Sequence, residues 1–265
     1  MTSLALTRGR FHFLGTGGSM GVPEIACECG VCTSPDPLNK RLRTSGLLLI
    51  NNKTLLVDAG PDFRLQALRY GLRRLDGMIL THTHYDHVAG IDELRIFSLR
   101  SKAPLPCLLS QETHEELRRR YHYLFPGNER AGDSLAAQLS FQTLEKARGD
   151  VLFQEVPLRY MTYSQGRMKV IGFRVGDFAY VSDIKEYDES IFDDLAGVKT
   201  LVLSGPRLAP SRVHFNFDEA VKFSRKVKAN HTWLTHIAHD ISHVSGNAYL
   251  PENVWLAYDG LEIEF

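Results

Sequence analysis

The sequence predicts an α/β protein built as two β-sheets packed face to face with helices outside. Strand-like and helix-like segments are mixed along all 265 residues. No linker, low-complexity tract or close tandem repeat divides them, so residues 1–265 are expected to form one domain with a large core. A third observation says where the chemistry lies. A strand-to-helix loop at residues 81–90 carries three histidines and an aspartate within six positions.

In order, residues 11–14 read as a strand that runs into Gly15-Thr16-Gly17-Gly18-Ser19-Met20-Gly21. The last glycine of a dinucleotide-binding G-x-G-x-x-G would fall on Met20, and no helix follows. No nucleotide cofactor is expected; the glycines let the backbone pass close to a metal centre. Residues 47–50 and 54–57 are strands around the turn Asn51-Asn52-Lys53, and Asp58-Ala59-Gly60 ends the second. Residues 62–70 are helical, stopped by Gly71. A buried strand over 75–80 leads into the histidine loop, and a helix starts over 91–97 with Leu94 and Phe97 on one face.

A strand over 105–109 and a helix over 112–124 follow, the helix carrying His114 and His122 on an exposed or lid-facing side. Residues 127–133 read as a mobile loop. A strand over 151–156 comes next, and residues 168–175 and 178–181 form a hairpin through Gly176-Asp177. Residues 188–195 are helical, and 200–203 form a strand ending at Ser204. Asn216 caps a helix over 218–228. A strand over 232–235 delivers His236, then His239 and His243. Closing strands over 254–258 and 261–265 flank Asp259-Gly260.

Lys plus Arg equals Asp plus Glu at 31 each, so bulk charge gives no sign of nucleic-acid or anionic-membrane partners. Arg118-Arg119-Arg120 reads as a solvated helix face. No apolar run approaches the ~18 residues of a membrane span, and residues 1–10 lack a signal-peptide core. A cytoplasmic protein is expected. Three of the four cysteines are bunched at Cys27, Cys29 and Cys32. In a reducing compartment that favours metal over disulfide; unpaired structural cysteines are the bland alternative.

The loop Thr81-His82-Thr83-His84-Tyr85-Asp86-His87-Val88-Ala89-Gly90 has donors suited to zinc, manganese or iron. His82 and His84 are two apart, so on extended chain they point the same way. Asp86 and His87 follow once the chain has turned. Two adjacent ions could be fed in this way, the first by His82 and His84, the second by Asp86 and His87. Asp58 at its strand end could orient a ligating histidine.

This H-x-H-x-D-H pattern, with a strand ending in Asp58-Ala59-Gly60, an isolated Asp183 at a strand end and His236 at a late strand end, resembles the metallo-β-lactamase fold superfamily over nearly the whole chain. Leu14-Gly15-Thr16-Gly17-Gly18, the cysteine run and Leu234-Thr235-His236-Ile237-Ala238-His239 narrow the likeness to the phosphoribosyl 1,2-cyclic phosphate phosphodiesterase branch, of the carbon–phosphorus lyase route. The resemblance implies a four-layer αββα sandwich with one or two divalent ions, Zn or Mn, at the sheet edge. It gives His82, His84 and Asp183 to the first ion, and Asp86, His87, His236 and the bridging Asp183 to the second. His239 joins Cys27, Cys29 and Cys32 on one structural Zn. His214 lies near the substrate phosphate, or is a helix neighbour without chemistry. Asp86 and His214 stand closest to the reaction.

One position departs from that pattern. The branch places a third histidine for the first ion just after the strand at 151–156, and the nearest alignment puts Thr162 there. The first site is then expected to be weak, with Tyr160 or Tyr163 as substitutes only if ionised, and Thr162→His is expected to restore it. Ser204 stands where many relatives are acidic. The implied function is hydrolysis of a small-molecule phosphodiester, a cyclic one foremost, by a metal-bound hydroxide. Alternatives are a lactonase, thioesterase or nuclease on the same scaffold, or a degenerate member without turnover. A nuclease would need a more basic surface. No membrane or nucleic-acid partner is expected, and a homodimer is left open.

Overall fold

Asn51 and Asn52 both adopt left-handed backbone, φ 50° and 59°, the pair of angles that a tight two-residue hairpin turn requires and that asparagine tolerates. From this turn the first sheet grows. A computed structural model describes residues 8–125 and 136–265; the segment 127–133, expected to be a mobile loop, lies outside the described residues.

In chain order the strands are β1 (Gly9–Gly15), β2 (Ser45–Ile50), β3 (Lys53–Val57), β4 (Gly77–Ile79), β5 (Leu105–Ser110), β6 (Leu139–Leu144), β7 (Arg148–Phe153), β8 (Val156–Gln165), β9 (Met168–Val175), β10 (Phe178–Val181), β11 (Thr200–Ser204), β12 (His231–Thr235), β13 (Val254–Leu256) and β14 (Glu262–Glu264). The helices are α1 (Phe63–Arg69), α2 (Tyr85–Val88), α3 (Arg95–Ser101), α4 (Gln111–Arg120), α5 (Ile191–Asp194), α6 (Phe217–Val227) and α7 (His243–Tyr249). None of these is long and apolar enough to cross a membrane.

Two seven-stranded sheets result, ordered β14-β1-β2-β3-β4-β5-β6 and β13-β12-β11-β10-β9-β8-β7. Between them lies an aromatic layer in which Phe11 stacks on Phe178 at 5.2 Å and Phe173 on Tyr180 at 5.6 Å, pairs worth ~0.5–1.5 kcal/mol each beyond simple burial. Two further apolar clusters lie under the helices, one around Phe217 and Phe223, the other around Phe63 and Leu117. The expected αββα sandwich is what the chain forms. Asn216 caps α6 through a reciprocal bond with Glu219, as its position before the apolar stripe implied.

Several local expectations need correction. β7 stops at Phe153, and Gln154 and Glu155, at φ 49° and 66°, turn the chain into the ten-residue β8. The expected strand over 151–156 therefore straddles a hairpin turn. The closing strands around Asp259-Gly260 belong to different sheets, β13 to the second and β14 to the first. Asp259 explains the split. Its carboxylate is buried and accepts from Thr16 N, Thr16 Oγ1 and Leu42 N, so the turn is bolted to the first sheet.

The topology aims the chain's chemistry at one edge. Strands β3 to β6 run parallel, as do β10 to β13, and β8 shares the direction of β10 through two antiparallel steps. Their carboxyl ends emerge together, where α/β sheets usually place ligands.

Candidate metal centre

Asp58 follows β3, His82 follows β4, Asp183 follows β10 and His236 follows β12. Asp58, Asp183 and His236 sit in left-handed backbone, at φ 61°, 56° and 63°. A side chain with a Cβ pays for that conformation in strain, which folds tolerate chiefly at functional positions. Close backbone packing holds the histidine loop down. A Cβ on Gly60 would lie 2.0 Å from Asp86 O, and one on Gly90 would lie 2.1 Å from Gly60 O. Ala59 N donates to His87 O at 2.8 Å.

Asp58 is wholly buried and orients two imidazoles. His87 Nδ1 donates to its Oδ2 at 2.7 Å. Thr81 donates its N–H to Oδ1 and its hydroxyl to Oδ2, both at 2.8 Å, and that hydroxyl lies 2.9 Å from His82 Nδ1. Both Nδ1 atoms are thereby occupied, and the Nε2 atoms turn inward. This is how a carboxylate fixes the tautomer of a ligating histidine.

Inward-facing atoms converge on Asp183. Its Oδ2 lies 3.2 Å from His87 Nε2 and accepts from Ser182 Oγ at 2.6 Å. Its Oδ1 lies 3.2 Å from His236 Nε2 and 3.4 Å from His214 Nδ1. Asp86 Oδ2 stands 3.1 Å from His236 Nε2 and 3.5 Å from His87 Nε2. His82 Nε2 meets His84 Nδ1 at 2.9 Å. Three groups able to grip a cation result: His82, His87 and Asp183; Asp86, His87 and His236; Asp183, His214 and His236. His84 joins through its contact with His82.

The electrostatics fit a cation. Burial opposes charge on every member, yet the carboxylates of Asp183, Asp86 and Asp58 raise the proton affinity of His87, and Asp183 and Asp86 raise that of His236. Reciprocally, despite burial, the imidazoles hold Asp183 and Asp86 well below the ordinary carboxylate range. At His82, burial and the neighbouring His87 outweigh the pull of Asp183 and Asp86 and hold the ring neutral. Two ionised, buried carboxylates facing several imidazole nitrogens, with His87 Nε2 lacking any hydrogen bond among the described residues, form a donor set suited to divalent ions.

A second group lies nearby. His239 Nδ1 stands 3.2 Å from Cys27 Sγ, 3.6 Å from Cys29 Sγ and 3.4 Å from Cys32 Sγ, spacings that close around one tetrahedral zinc. The backbone N–H of Cys32, directed at Cys29 Sγ, lowers the Cys29 thiol to about 6, while burial pushes Cys32 up to about 11. His236 and His239 bracket a pinned segment. Ile237 N donates to Thr16 O at 2.8 Å, and Gly18 N to Ile237 O at 3.0 Å. A Cβ on Gly18 would lie 3.2 Å from His236 Nδ1, so the glycine-rich loop does pass close to the centre.

Thr162 is not part of this constellation. It lies an odd number of residues before the end of β8 and so on the opposite face from Gln165, with its N–H bonded to Ala147 O. Gln165 is the residue that reaches the centre, its Nε2 2.8 Å from His214 Nε2 and 3.4 Å from Asp183 Oδ1. A signal existed. Residues 161, 163 and 165 continue one buried face to the Gly166 turn, and functional groups gather at strand ends. Tyr160 and Tyr163 are no phenolate substitutes. Tyr160 packs between the sheets, and Tyr163 donates to Ser182 O while burial raises its phenol well above 10. His114 packs on Phe125 and Phe141, away from the metal groups. Ser204 is buried with its Oγ unpartnered among the described residues.

With this geometry in place, likeness to known proteins becomes informative. Residues 53–237 match the family described as the beta-lactamase superfamily domain. The chain belongs to the beta-lactamase superfamily. Within it, the chain is 33% identical to a solved diphosphatase from the PhnP family, covering 97% of both chains with a TM-score of 0.88. It is also 34% identical over 261 residues to an octanoyltransferase of Porphyromonas gingivalis. That match takes in 96% of this chain and 51% of the relative, so the chain spans about half the length of that protein. Zinc-bound PqqB from Methylobacterium extorquens shares the fold, at 17% identity over 96% of this chain and 99% of the other, with a TM-score of 0.74. The protein thus has the metallo-β-lactamase fold with a PhnP-like architecture, and its His/Asp groups could hold a divalent metal.

Asp58 offers a graded test. Asp58→Ala should still bind metal at the His/Asp groups but roughly 10–100-fold more weakly, the usual effect of losing a group that orients a ligand. Metal affinity by competition with a chelator checks this; an unchanged affinity would mean that the imidazoles hold their orientation without it.

Proposed function

We infer that the centre hydrolyses phosphodiesters, with a cyclic phosphate ester as the best-fitting class. The observation that carries this is His214. Its side chain is 14% exposed, whereas those of His87, Asp183 and His236 are at most 3% exposed. It lies over the His236 ring at 4.9 Å, between solvent and the ligand cluster, where a substrate oxygen would arrive. The likeness to a PhnP-family diphosphatase supports a phosphorus centre over an acyl one.

Zinc or manganese ions, when bound, supply Lewis-acid activation of water and neutralise charge on phosphoryl oxygens. The chain's own groups do the rest. Asp58 fixes His87 and, through Thr81, His82, so the ligand set is rigid before substrate enters. Asp183 and Asp86 keep their charge in the buried site. His214 has a proton affinity lowered to about 4, chiefly by burial, so it is neutral near pH 7. A neutral ring can donate one N–H to a phosphoryl oxygen, and an arriving anion raises its proton affinity, which readies it to protonate the leaving oxygen.

The octanoyl transfer named for the longer relative finds little support here. Acyl transfer commonly uses a thiolate nucleophile; Cys27, Cys29 and Cys32 face His239, and Cys107 is fully buried in the core. The test is a screen of the purified, metal-supplemented protein against cyclic and linear phosphodiesters, diphosphates, lactones and thioesters. Phosphodiester turnover is expected, falling by roughly 10²–10⁴-fold in His214→Ala, the range for loss of a general acid or base. Turnover of lactones or thioesters with no phosphodiester activity would overturn the proposal.

A further inference from the structure

Gln165 is buried, and its amide is half satisfied. Nε2 has His214 and Asp183 Oδ1 within 3.4 Å, but Oε1 has no hydrogen-bond partner among the described residues. A primary amide taken out of water ordinarily satisfies both ends. A half-turn of the terminal torsion exchanges the ends at small cost. The carbonyl oxygen would then stand beside Asp183 Oδ1, an arrangement of two oxygens that is repulsive unless a cation lies between them. Gln165 also stands at the carboxyl end of β8, on the same sheet edge as Asp183 and two strands from it.

We propose that Gln165 is a metal ligand, its amide oxygen completing the first catalytic position with His82, His84 and Asp183. This rests on the reading of the His/Asp cluster as a two-ion centre. The two positions then differ in kind. The second draws on two imidazoles and two carboxylates, Asp86, His87, His236 and Asp183. The first exchanges a nitrogen donor for a neutral amide oxygen, and carbonyl oxygen suits manganese better than imidazole does relative to zinc. The first position is therefore the weaker one, with a smaller preference for zinc over manganese.

The experiment is chelator competition with Zn²⁺ and with Mn²⁺ on the full chain, for wild type, Gln165→His and Gln165→Leu. Metal content is counted in each titration. One zinc per chain retained at the cysteine group reports correct folding in every variant. Gln165→Leu should weaken the weaker catalytic position about 10-fold or more for manganese, and Gln165→His should strengthen it about 10-fold or more for zinc. The ratio of zinc to manganese affinity should rise in Gln165→His. Unchanged affinities for both metals in both variants would overturn the assignment while leaving the hydrolase reading intact. Wild type that binds no catalytic ion at all, with its structural zinc in place, would overturn both.

Discussion

Asp183→Ala is expected to lose catalytic metal and to show no phosphodiester hydrolysis above background, a drop of roughly 10³-fold or more, beyond the ~10–100-fold typical of an orienting residue. The reason is its position. One oxygen of Asp183 serves His87 and the other serves His236 and His214, so both halves of the cluster close through this carboxylate. Nothing beside it can substitute: Ser182 is a donor to it, and Gln165 is neutral. The loss should also destabilise the protein itself. Buried imidazoles that lean on the Asp183 charge would be left short of a partner, and breaking a buried charged pair from one side typically costs ~3–5 kcal/mol. Metal content, rate and melting temperature measured together decide the matter. Full metal loading with normal turnover would show that the centre lies elsewhere.

Cys29→Ser is the second large effect. A serine hydroxyl stays protonated near neutral pH and is a poor zinc ligand, whereas the Cys29 thiol is already drawn down to about 6. The variant should release about one zinc per chain, because site formation and local folding are coupled. Its melting temperature should fall by roughly 5–10 °C, the range for losing a few interactions in a chain of this length. The second readout matters because residues 16–44 keep other anchors, Thr16 and Leu42 on Asp259, Arg41 on Ala257, Arg43 on Asp62 and Asn39 on His243, so the variant should still fold while the cysteine loop loosens. Zinc content and melting temperature equal to wild type would mean that the three cysteines are merely packed.

The sequence carried the fold and most of the site wherever the signal was local. His82, His84, Asp86 and His87 lie in one loop, and their spacing alone implies donors for two positions. Cys27, Cys29 and Cys32 are equally local. Asp183 and His236 carry no local pattern, and only a family resemblance picked them out; the structure gives the physical reason, parallel strands that end at the same edge. The errors have physical causes too. The β7–β8 turn uses Gln154 and Glu155 at positive φ, where no glycine or asparagine flags it. Misplacing that turn put the expected position at Thr162, whereas Gln165 is the residue of this strand that reaches the centre. β6, the edge strand over Leu139–Leu144, offers little alternation, and α7 contains Gly246 in the middle of a seven-residue helix; neither was expected. Leu256 excludes a Cβ at Gly246, at 2.4 Å, which is a packing constraint invisible in one chain's sequence.

One short run of chain, His236-Ile237-Ala238-His239, belongs to both metal groups at once. Its first residue faces Asp86 and Asp183, its last faces the three thiols, and the middle is tied to Thr16, Gly18 and Pro206. Losing an ion from the cysteine group would remove the tie at the far end of the strap that aims an imidazole at the other group, leaving its backbone bonds to Thr16, Gly18 and Pro206. By the reciprocity of linked binding, an ion held by the His/Asp cluster would in turn tighten the cysteine group. Depleting zinc from the cysteine group should therefore weaken metal binding at the His/Asp cluster.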